Sequence, residues 1–281
     1  MDFDGDGRSD LLSGSYPGEL YFFSGLGDGK FAPAEQLKDR DGKPIKVGLA
    51  AVVYAQDWDG DGDLDLIVGD IEGQVHLVIN EGSKTKPSFG KDVLLKAGNE
   101  PIKLASGDAG PTVADWDGDG KFDLLVGTGG GGVFWFRNTG TNQVPQLAAA
   151  QTLIPEQGIA PQAAGAAPRS GMRAKVHAVD WNKDGKLDLL VGDFVYDPVQ
   201  PVLDEAQKAR QAEKRRAWMS EYNAVQKPPP DETTEARQAR MKRTAELIAR
   251  FKELNTEVNA EPQYHGYVWL YLRQDGVARA E

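Results

Sequence analysis

Four copies of one nine-residue pattern, D-x-[DN]-x-D-G-x-x-D, constrain this chain more than any other feature. The copies are loop 1 (2–10), loop 2 (57–65), loop 3 (115–123) and loop 4 (180–188). Each is followed by a short apolar run, and the first aspartates of successive copies are 55, 58 and 65 residues apart. Such internal repetition is typical of stacked units that bury one another's apolar faces. The chain is therefore predicted to be a repeat protein with one acidic loop in each unit.

Short strands with turn residues between them are predicted in every repeat. In the second repeat, apolar runs over 49–55, 64–69, 75–79 and 89–95 are separated by loop 2, by Gly73 and by the turn at 80–82. This turn chemistry is typical of antiparallel hairpins, and four short strands in each repeat are typical of a propeller blade. The prediction is an all-β, propeller-like fold with four blades of four antiparallel strands.

The spacing between the acidic loop and the next turn glycine indicates an insertion in the fourth repeat. The first aspartate of the loop and the next turn glycine are 16 residues apart in the first three repeats, whereas Gly266 follows Asp180 by 86 residues. The extra segment is rich in helix formers over 203–225. We expect blades 1 to 3 and half of blade 4 over 1–199, a helical hairpin over 200–262, and the remaining strands of blade 4 over 263–281.

Two apolar stripes define the expected contact within that hairpin. The second helix is expected to begin after an Asp231 cap, because aspartate is a preferred N-cap residue. One stripe has helical spacing and consists of Leu247, Phe251, Leu254 and Val258. The facing stripe consists of Trp218, Tyr222 and Val225.

The acidic loops carry oxygen donors at the spacing that calcium requires. Calcium takes about 6–8 oxygen ligands, and a glycine at the sixth position permits the sharp turn that directs them inward. Positions 1, 3, 5 and 9 would supply side-chain oxygens and position 7 a main-chain carbonyl. The predicted ligands are Asp2, Asp4, Asp6, Arg8 and Asp10 in loop 1; Asp57, Asp59, Asp61, Asp63 and Asp65 in loop 2; Asp115, Asp117, Asp119, Lys121 and Asp123 in loop 3; and Asp180, Asn182, Asp184, Lys186 and Asp188 in loop 4.

Up to four Ca²⁺ ions are therefore predicted. The alternative, acidic hairpin turns without metal, explains the glycine and one aspartate but not four oxygen donors at fixed spacing in four copies. Loop 4 is expected to bind most weakly, because Asn182 replaces a carboxylate. The loops are not of the EF-hand type, which requires a glutamate at position 12, where this chain has Ser13, Val68, Val126 and Val191.

Composition restricts the partners. The net charge of −11 argues against nucleic acid as a ligand. No apolar run approaches the roughly 20 residues that a membrane-spanning helix needs. There is no cysteine, so disulfides and thiolate chemistry are excluded.

The acidic loops with their following D-[LF]-[LI]-V-G runs resemble FG-GAP or VCBS-type repeats, which occur in integrin α-subunit heads and many bacterial surface proteins. The resemblance covers the four repeats but not the helical insert. It implies a β-propeller, usually of seven or more blades, with structural calcium in the loop between the first two strands of each blade. Four repeats leave open an incomplete propeller, an open arc, completion by another chain, or a closed four-bladed ring. An N-terminal part is expected to be missing, because the first repeat lacks the strand before its loop.

Three functional hypotheses follow. The first is a non-catalytic, calcium-stabilised module that recognises a protein or carbohydrate at the cell surface, outside the cell or in the periplasm. The second is a calcium-dependent propeller enzyme such as a polysaccharide lyase, with Arg169, Arg173, His177 and His265 as candidate groups. The third is an assembly scaffold that self-associates through the helical insert. The aromatic residues at position 2 of the loops, Phe3, Trp58, Trp116 and Trp181, are expected to pack between blades.

Overall fold

A computed structural model describes residues 1–157, 170–197, 204–226, 233–256 and 263–274. The chain divides into two compact units. The first comprises Met1–Ala160, Ala167–Val195 and His265–Glu281, and the second comprises Pro161–Ala166 and Tyr196–Tyr264. The repeats lie in the first unit and the inserted helices in the second.

The first repeat forms a three-stranded sheet and a small hairpin. Its strands are β1 (Leu11–Gly14), β2 (Leu20–Phe23), β3 (Gly25–Gly27), β4 (Lys30–Phe31) and β5 (Glu35–Gln36). Sheet 1 has the order β1-β2-β5, and β3 pairs with β4. The turn between β1 and β2 needs Gly18, which has φ +91°, and a Cβ there would lie 2.2 Å from the carbonyl oxygen of Gly48.

The second and third repeats each form a four-stranded antiparallel sheet in sequence order. Sheet 2 consists of β6 (Val52–Gln56), β7 (Asp65–Gly69), β8 (Val75–Val78) and β9 (Val93–Leu94), and a separate hairpin follows it with β10 (Lys96–Ala97) and β11 (Glu100–Pro101). Sheet 3 consists of β12 (Gly110–Ala114), β13 (Asp123–Gly127), β14 (Val133–Phe136) and β15 (Gln151–Ile154). Every residue of β7 and β13 is buried, as expected for strands covered on both faces.

The fourth repeat contains the insertion. Sheet 4 consists of β16 (Met172–Val179), β17 (Asp188–Asp197) and β18 (Gln263–Tyr271), in the order β16-β17-β18. Between β17 and β18 lie α1 (Glu205–Val225) and α2 (Thr234–Thr256). The fold is thus the predicted all-β, propeller-like series of open antiparallel sheets with a helical insert, and the first and last sheets have three strands within the described residues.

Three apolar clusters hold the sheets together. One lies between sheets 1 and 2 and includes Leu20 and Leu66, a second lies between sheets 2 and 3, and a third lies between sheets 3 and 4 and includes Leu125 and Val191. Each cluster draws side chains from two neighbouring repeats. The core is therefore built between repeats rather than within them.

The two helices form the predicted antiparallel hairpin. The indole of Trp218 packs 4.3 Å from the ring of Phe251, centroid to centroid, and its Nε1 donates to the carbonyl oxygen of Leu247 at 2.6 Å. Further towards the C-terminus of α1, Gln226 contacts Thr244. α1 begins at a capping box in which the side chain of Asp204 accepts from the main-chain N–H of Gln207.

Part of the helical prediction concerns residues that the structure does not describe. Asp231 and Val258 lie outside the described residues, as does the side chain of Leu254.

Over the described residues, neither helix combines the length and the apolar character needed to cross a membrane.

Candidate metal centre

Three of the acidic loops connect the first two strands of their sheets, and one precedes its sheet. Loop 2 joins β6 to β7, loop 3 joins β12 to β13, loop 4 joins β16 to β17, and loop 1 precedes β1. The sixth residue of each loop has a positive φ: +87° at Gly7, +98° at Gly62, +84° at Gly120 and +86° at Gly185. The sharp turn expected at this position is therefore present in all four loops.

Three of the loops gather carboxylates. In each, the residues at positions 1, 3 and 5 offer one oxygen apiece, and these oxygens lie within 4.8 Å of one another. The groups are Asp2, Asp4 and Asp6; Asp57, Asp59 and Asp61; and Asp115, Asp117 and Asp119. This spacing between oxygens suits ligands of one ion, since Ca²⁺–O distances are about 2.3–2.6 Å.

Position 7 is fixed by the carboxylate at position 5. Its main-chain N–H donates to that carboxylate at 2.8–3.1 Å in every loop. The residues at this position are Arg8, Asp63, Lys121 and Lys186. The loop backbone is thus curled by its own side chains at the point where a carbonyl ligand is predicted.

Unpartnered oxygens show that the loops suit a cation. Asp2 Oδ1, Asp63 Oδ1 and Asp115 Oδ1 are buried and accept no hydrogen bond, and Asp63 is only 5% exposed. A buried carboxylate oxygen without a donor is costly, by about 1–3 kcal/mol or more. A hard cation that binds carboxylate oxygen would remove that cost, so the residues fit calcium.

Loop 2 carries the least compensated charge. Burial, followed by the neighbouring charge of Asp61, raises the pKa of Asp59 above its ordinary value. The same two causes raise the pKa of Asp63. These shifts indicate that the folded protein resists full ionisation of this loop when no cation is bound.

Cationic side chains from outside the loop sequences pair with carboxylates of loops 1 and 3. Lys84 Nζ lies 3.1 Å from Asp2 Oδ2, and this hydrogen bond lowers the pKa of Asp2. Arg137 Nε lies 2.5 Å from Asp117 Oδ2, and its NH2 nitrogen lies 3.1 Å from Asp119 Oδ2. The guanidinium therefore spans two of the three gathered carboxylates of loop 3. Their charge in turn raises the pKa of Arg137, with Asp117 contributing most.

Loop 4 differs from the others. Asn182 Nδ2 donates to Asp184 Oδ2 at 2.9 Å, and this bond lowers the pKa of Asp184. Lys183 has φ +61° at the position where the other loops have a glycine. An amide donor thus replaces one of the repelling carboxylates, which reduces the need for a cation.

The next repeat covers each of the first two loops. A Cβ on Gly5 in loop 1 would lie 3.1 Å from a side-chain carbon of Thr85, which belongs to the second repeat. A Cβ on Gly60 in loop 2 would lie 3.0 Å from Gln143 Nε2, which belongs to the third repeat. Loops 1 and 2 therefore lie against a turn of the following repeat.

The ninth residue of each loop ties the two ends of a hairpin together. Its Oδ2 accepts from the main-chain N–H at position 2 of the loop at 2.7–3.2 Å. Its Oδ1 accepts at 2.7–2.8 Å from the main-chain N–H two residues after the end of β2, β8, β14 or β18. The residues are Asp10, Asp65, Asp123 and Asp188, all of which are buried. We call each of these pairs of hydrogen bonds an aspartate latch.

The aromatic residues at position 2 divide into two groups. Phe3, Trp58 and Trp116 are buried, as predicted for residues that pack between sheets. Trp181 in loop 4 is 58% exposed, contrary to that expectation. Sheet 4 has no following sheet among the described residues to cover it.

A second set of charged residues was not predicted. His76 lies between two carboxylates, with Nδ1 3.1 Å from Asp92 Oδ2 and Nε2 3.4 Å from Asp70 Oδ2. Asp70 follows directly after β7, where its Oδ1 accepts from Gln74 N at 2.8 Å and closes the turn to β8. A polar residue recurs directly after the second strand of the repeats, and this recurrence could have identified Asp70 from the sequence.

Another unpredicted contact links two repeats. Lys175 Nζ lies 2.9 Å from the carbonyl oxygen of Asp108 and 3.2 Å from its Oδ1, and burial lowers the pKa of Lys175. Of the candidate enzyme groups, Arg173 pairs with this same Asp108 at 3.3 Å and His177 is exposed on β16. Arg169 lies outside the described residues.

Comparisons with known proteins agree with the repeats. A family model described as the FG-GAP-like repeat matches residues 57–126 and 115–191 in tandem. The chain is therefore a β-sheet repeat protein built around acidic loops. The repeats over residues 57–191 are FG-GAP-like repeats. No curated protein matches the chain.

Two solved structures resemble it weakly. One is the Tc holotoxin pore of Photorhabdus luminescens, at 20% identity over 68% of this chain, with a TM-score of 0.41. The other is BBS1N in complex with ARL6DN, soaked with lead, at 12% identity over 70% of this chain, with a TM-score of 0.34. The matches span 8% and 52% of the lengths of those chains, respectively.

Proposed function

We propose that this chain is a calcium-stabilised repeat module that serves in binding rather than in catalysis. The observation that carries the proposal is the convergence of three carboxylate oxygens within 4.8 Å in each of loops 1, 2 and 3, with a buried, unpartnered oxygen in each loop. Calcium would supply the positive charge that these groups lack. Carboxylates that hold an ion are poor general acids or bases, which supports a non-catalytic role.

In this proposal the odd-numbered positions of the loop supply the oxygen ligands. Positions 1, 3 and 5 supply side-chain oxygens, and the curled backbone offers the carbonyl of position 7. Position 9 can share its carboxylate with the ion only through lone pairs that its two main-chain donors leave available. Loop 2 is the strongest site, because Asp63 adds a fourth carboxylate and no lysine or arginine pairs with its ligands among the described residues.

The proposed setting is extracellular, at the cell surface or in the periplasm. Sites of the extracellular class have dissociation constants of about 10⁻⁴–10⁻³ M, which millimolar calcium fills. The proposed ligand is a protein or a carbohydrate. Rigid loops on successive sheets would hold the exposed surfaces between them in fixed positions for either partner.

The test is thermal unfolding of the full chain with excess Ca²⁺, with Mg²⁺ and after chelation. Calcium should raise the melting temperature, since an ion at 100 times its Kd stabilises the folded state by about 2.7 kcal/mol. Magnesium should do less, because it demands a smaller, near-octahedral site. An unchanged melting temperature in calcium would overturn the proposal.

Site-specific binding is tested with Tb³⁺, a luminescent calcium substitute that a nearby indole sensitises. Trp58 and Trp116 adjoin the first ligands of loops 2 and 3. The double variant D59N/D61N should lose the Tb³⁺ luminescence that Trp58 sensitises and retain the Tb³⁺ luminescence that Trp116 sensitises. The matched control is D41N, which changes an exposed aspartate outside the loops.

A further inference from the structure

The segment after the third strand folds into the same turn in the second and third repeats. Residues 80–88 and 138–146 share the pattern N-x-G-x-x-x-x-P. In both, the side-chain oxygen of the asparagine accepts from the main-chain N–H groups two and eight residues later, at 2.8–3.1 Å. One side chain thus joins the two ends of the turn and fixes its shape. We call residues 138–146 the bridging turn.

One side of the bridging turn is attached to loop 3. Asn142 Oδ1 accepts from Phe122 N at 2.8 Å, and its Nδ2 donates to the carbonyl oxygen of Gly120 at 3.1 Å. The carbonyl at position 7, which is a predicted calcium ligand, belongs to Lys121 and lies in the same planar peptide unit as Phe122 N. Asn142 therefore holds the peptide unit that carries this ligand in one orientation. The N–H donor of the loop 3 latch also belongs to the bridging turn.

The other side of the bridging turn lies against loop 2. Gln143, the residue next to Asn142, contacts the backbone at Gly60, which is position 4 of that loop. A Cβ on Gly60 would lie 3.0 Å from Gln143 Nε2 and 3.3 Å from its Cγ. Gly60 stands between Asp59 and Asp61, two of the three gathered carboxylates. Neighbouring residues of one turn thus contact two different acidic loops, each close to predicted ligands.

The corresponding turn of the second repeat is different. Lys84 takes the place of Asn142, and Thr85 takes the place of Gln143. Lys84 Nζ lies 3.1 Å from a carboxylate oxygen of loop 1, so this turn supplies a cation that an incoming ion must displace. The bridging turn has neutral amides at both positions and can support ions on both of its sides.

We propose that the bridging turn couples calcium binding in loops 2 and 3, so that an ion in loop 2 raises the affinity of loop 3. Coupling of this kind rests on the proposed calcium sites, and in it Asn142 is a positioning residue for the Lys121 carbonyl. An ion in loop 2 would fix the backbone at Gly60 and thereby the turn that lies on it. Loop 3 would then lose less conformational entropy when its own ion binds, which gives positive cooperativity. By linkage, an ion in loop 3 raises the affinity of loop 2 by the same factor.

A reporter variant, W58F/W181F, isolates loop 3 for Tb³⁺ titration of the full chain. Trp116 at position 2 of loop 3 remains to sensitise Tb³⁺ bound there, whereas loops 2 and 4 lose their position-2 indoles. Loop 1 has Phe3 at the same position, so phenylalanine suits it. Loop 2 is the strongest proposed site and fills first, so the loop 3 signal reports binding beside an occupied neighbour.

Disabling loop 2 in the reporter variant measures the coupling. With D59N/D61N added, the Tb³⁺ concentration at half-maximal luminescence should rise by about fivefold, the lower end of typical coupling between sites. The loss of two negative charges also contributes to this shift. The comparison is therefore repeated with Q143A, which removes the contact with loop 2 and changes no charge.

The bridging turn is tested by the size of that shift in three further variants. The shift should be clearly smaller with Q143A and also with N142A, which removes both hydrogen bonds to loop 3. It should be unchanged with V144A, a matched truncation of an exposed residue in the same turn. Circular dichroism checks the fold of each variant.

Hydrogen exchange tests the coupling without luminescence. In D117N/D119N, where loop 3 lacks two ligands, calcium should still slow the exchange of the Phe122 N–H several-fold, because an ion in loop 2 steadies the turn that binds this group. Adding Q143A should abolish that protection, and adding V144A should not. A residue with only a structural role would not transmit calcium binding from one loop to the other.

Two results would contradict the coupling and leave the proposed function standing. One is a shift of equal size with and without Q143A, and the other is calcium-dependent protection of Phe122 that persists in Q143A. Absence of Tb³⁺ luminescence from both loops would instead overturn the proposed function together with the coupling.

Discussion

Asp65 accepts a hydrogen bond at 2.7 Å from the main-chain N–H of Asn80, 15 residues further along the chain. The other oxygen of the same carboxylate accepts from Trp58 N at 2.9 Å. One buried side chain thus joins the acidic loop, the start of the second strand and the end of the third. Two main-chain donors that would otherwise lack partners are satisfied by it.

The aspartate latch predicts that D65N destabilises the protein even without calcium. An amide retains one acceptor oxygen but turns its NH₂ group towards the second main-chain donor. The free energy of unfolding in chelator should fall by about 1–3 kcal/mol, as measured by urea unfolding. The matched control is D61N, because asparagine at that position can still accept from Asp63 N. D61N should change stability little in chelator and should reduce the gain from calcium; equal losses from both variants in chelator would contradict the latch.

The metal-free protein is predicted to lose stability as pH rises from about 4 to about 6. Burial raises the pKa of Asp65 from 3.8 to about 6, so between these values the folded state binds the proton more tightly than the unfolded state. Folding is then weakened as Asp65 ionises, and this contribution levels off above its folded-state pKa. Urea unfolding of metal-free protein across this range measures the slope, which should be smaller in D65N. The increase in the free energy of unfolding on adding calcium should change with pH in the opposite direction. It should grow as pH rises, because the ion requires ionised ligands.

Arg137 is predicted to compete with calcium for loop 3. Its guanidinium spans Asp117 and Asp119, so R137Q should remove a cation that the ion must displace. The affinity of loop 3 should rise by roughly fivefold, equivalent to the ~1 kcal/mol upper range of an exposed ion pair. Terbium luminescence sensitised by Trp116 measures the change. R40Q is the control, since Arg40 pairs with Glu81 instead of a loop carboxylate; weaker binding in R137Q would contradict the prediction.

Trp218 is predicted to hold the helical hairpin together without affecting the sheets. It is 7% exposed, stacks on Tyr222 and Phe251, and donates to the carbonyl of Leu247. W218A should destabilise the hairpin by about 3–5 kcal/mol, whereas W218F keeps a ring and should cost less. Hydrogen exchange measures the effect as lost protection in α1 and α2 with unchanged protection in β7 and β13. Loss of protection in those strands would show that the helices and the sheets unfold together.

Local patterns predicted much of this structure. The third strand of sheet 2 was predicted over 75–79 and forms over Val75–Val78, because a strand that follows a glycine turn is defined by neighbouring residues. The fourth strand of sheet 2 was predicted over 89–95 and contains only Val93–Leu94, since an edge strand has one neighbour to define it. The calcium ligands remain a prediction from spacing, to which the structure adds the convergence of three carboxylates in each of loops 1 to 3.

Contacts between repeats could not be predicted from the sequence. Trp58 and Trp181 hold the same position in their loops, yet one is 4% and the other 58% exposed, because burial depends on whether another sheet follows. Arg137, which directly follows β14, and Lys84, which lies in a turn of the second repeat, reach loop carboxylates although no motif connects them to the loops. The spacing of a repeat specifies its own hairpins, whereas its charge balance is set by residues distant in the chain.

The latch spans 15 residues in the first three repeats and 85 in the fourth, where Asp188 accepts from Arg273 N. Trp269 Nε1, which donates to Asp193 Oδ2 at 2.6 Å, closes the base of the same insertion. The entropy of closing a loop grows only slowly with its length, so fixing both ends of the hairpin lets its tip accept a folded domain. In the corresponding turns of the first and second repeats, the glycines Gly18 and Gly73 are packed against main-chain oxygens. The exposed residues just before them, Pro17 and Glu72, are therefore natural grafting points, at which a binding domain or a fluorescent reporter can be inserted while the host sheet retains its register.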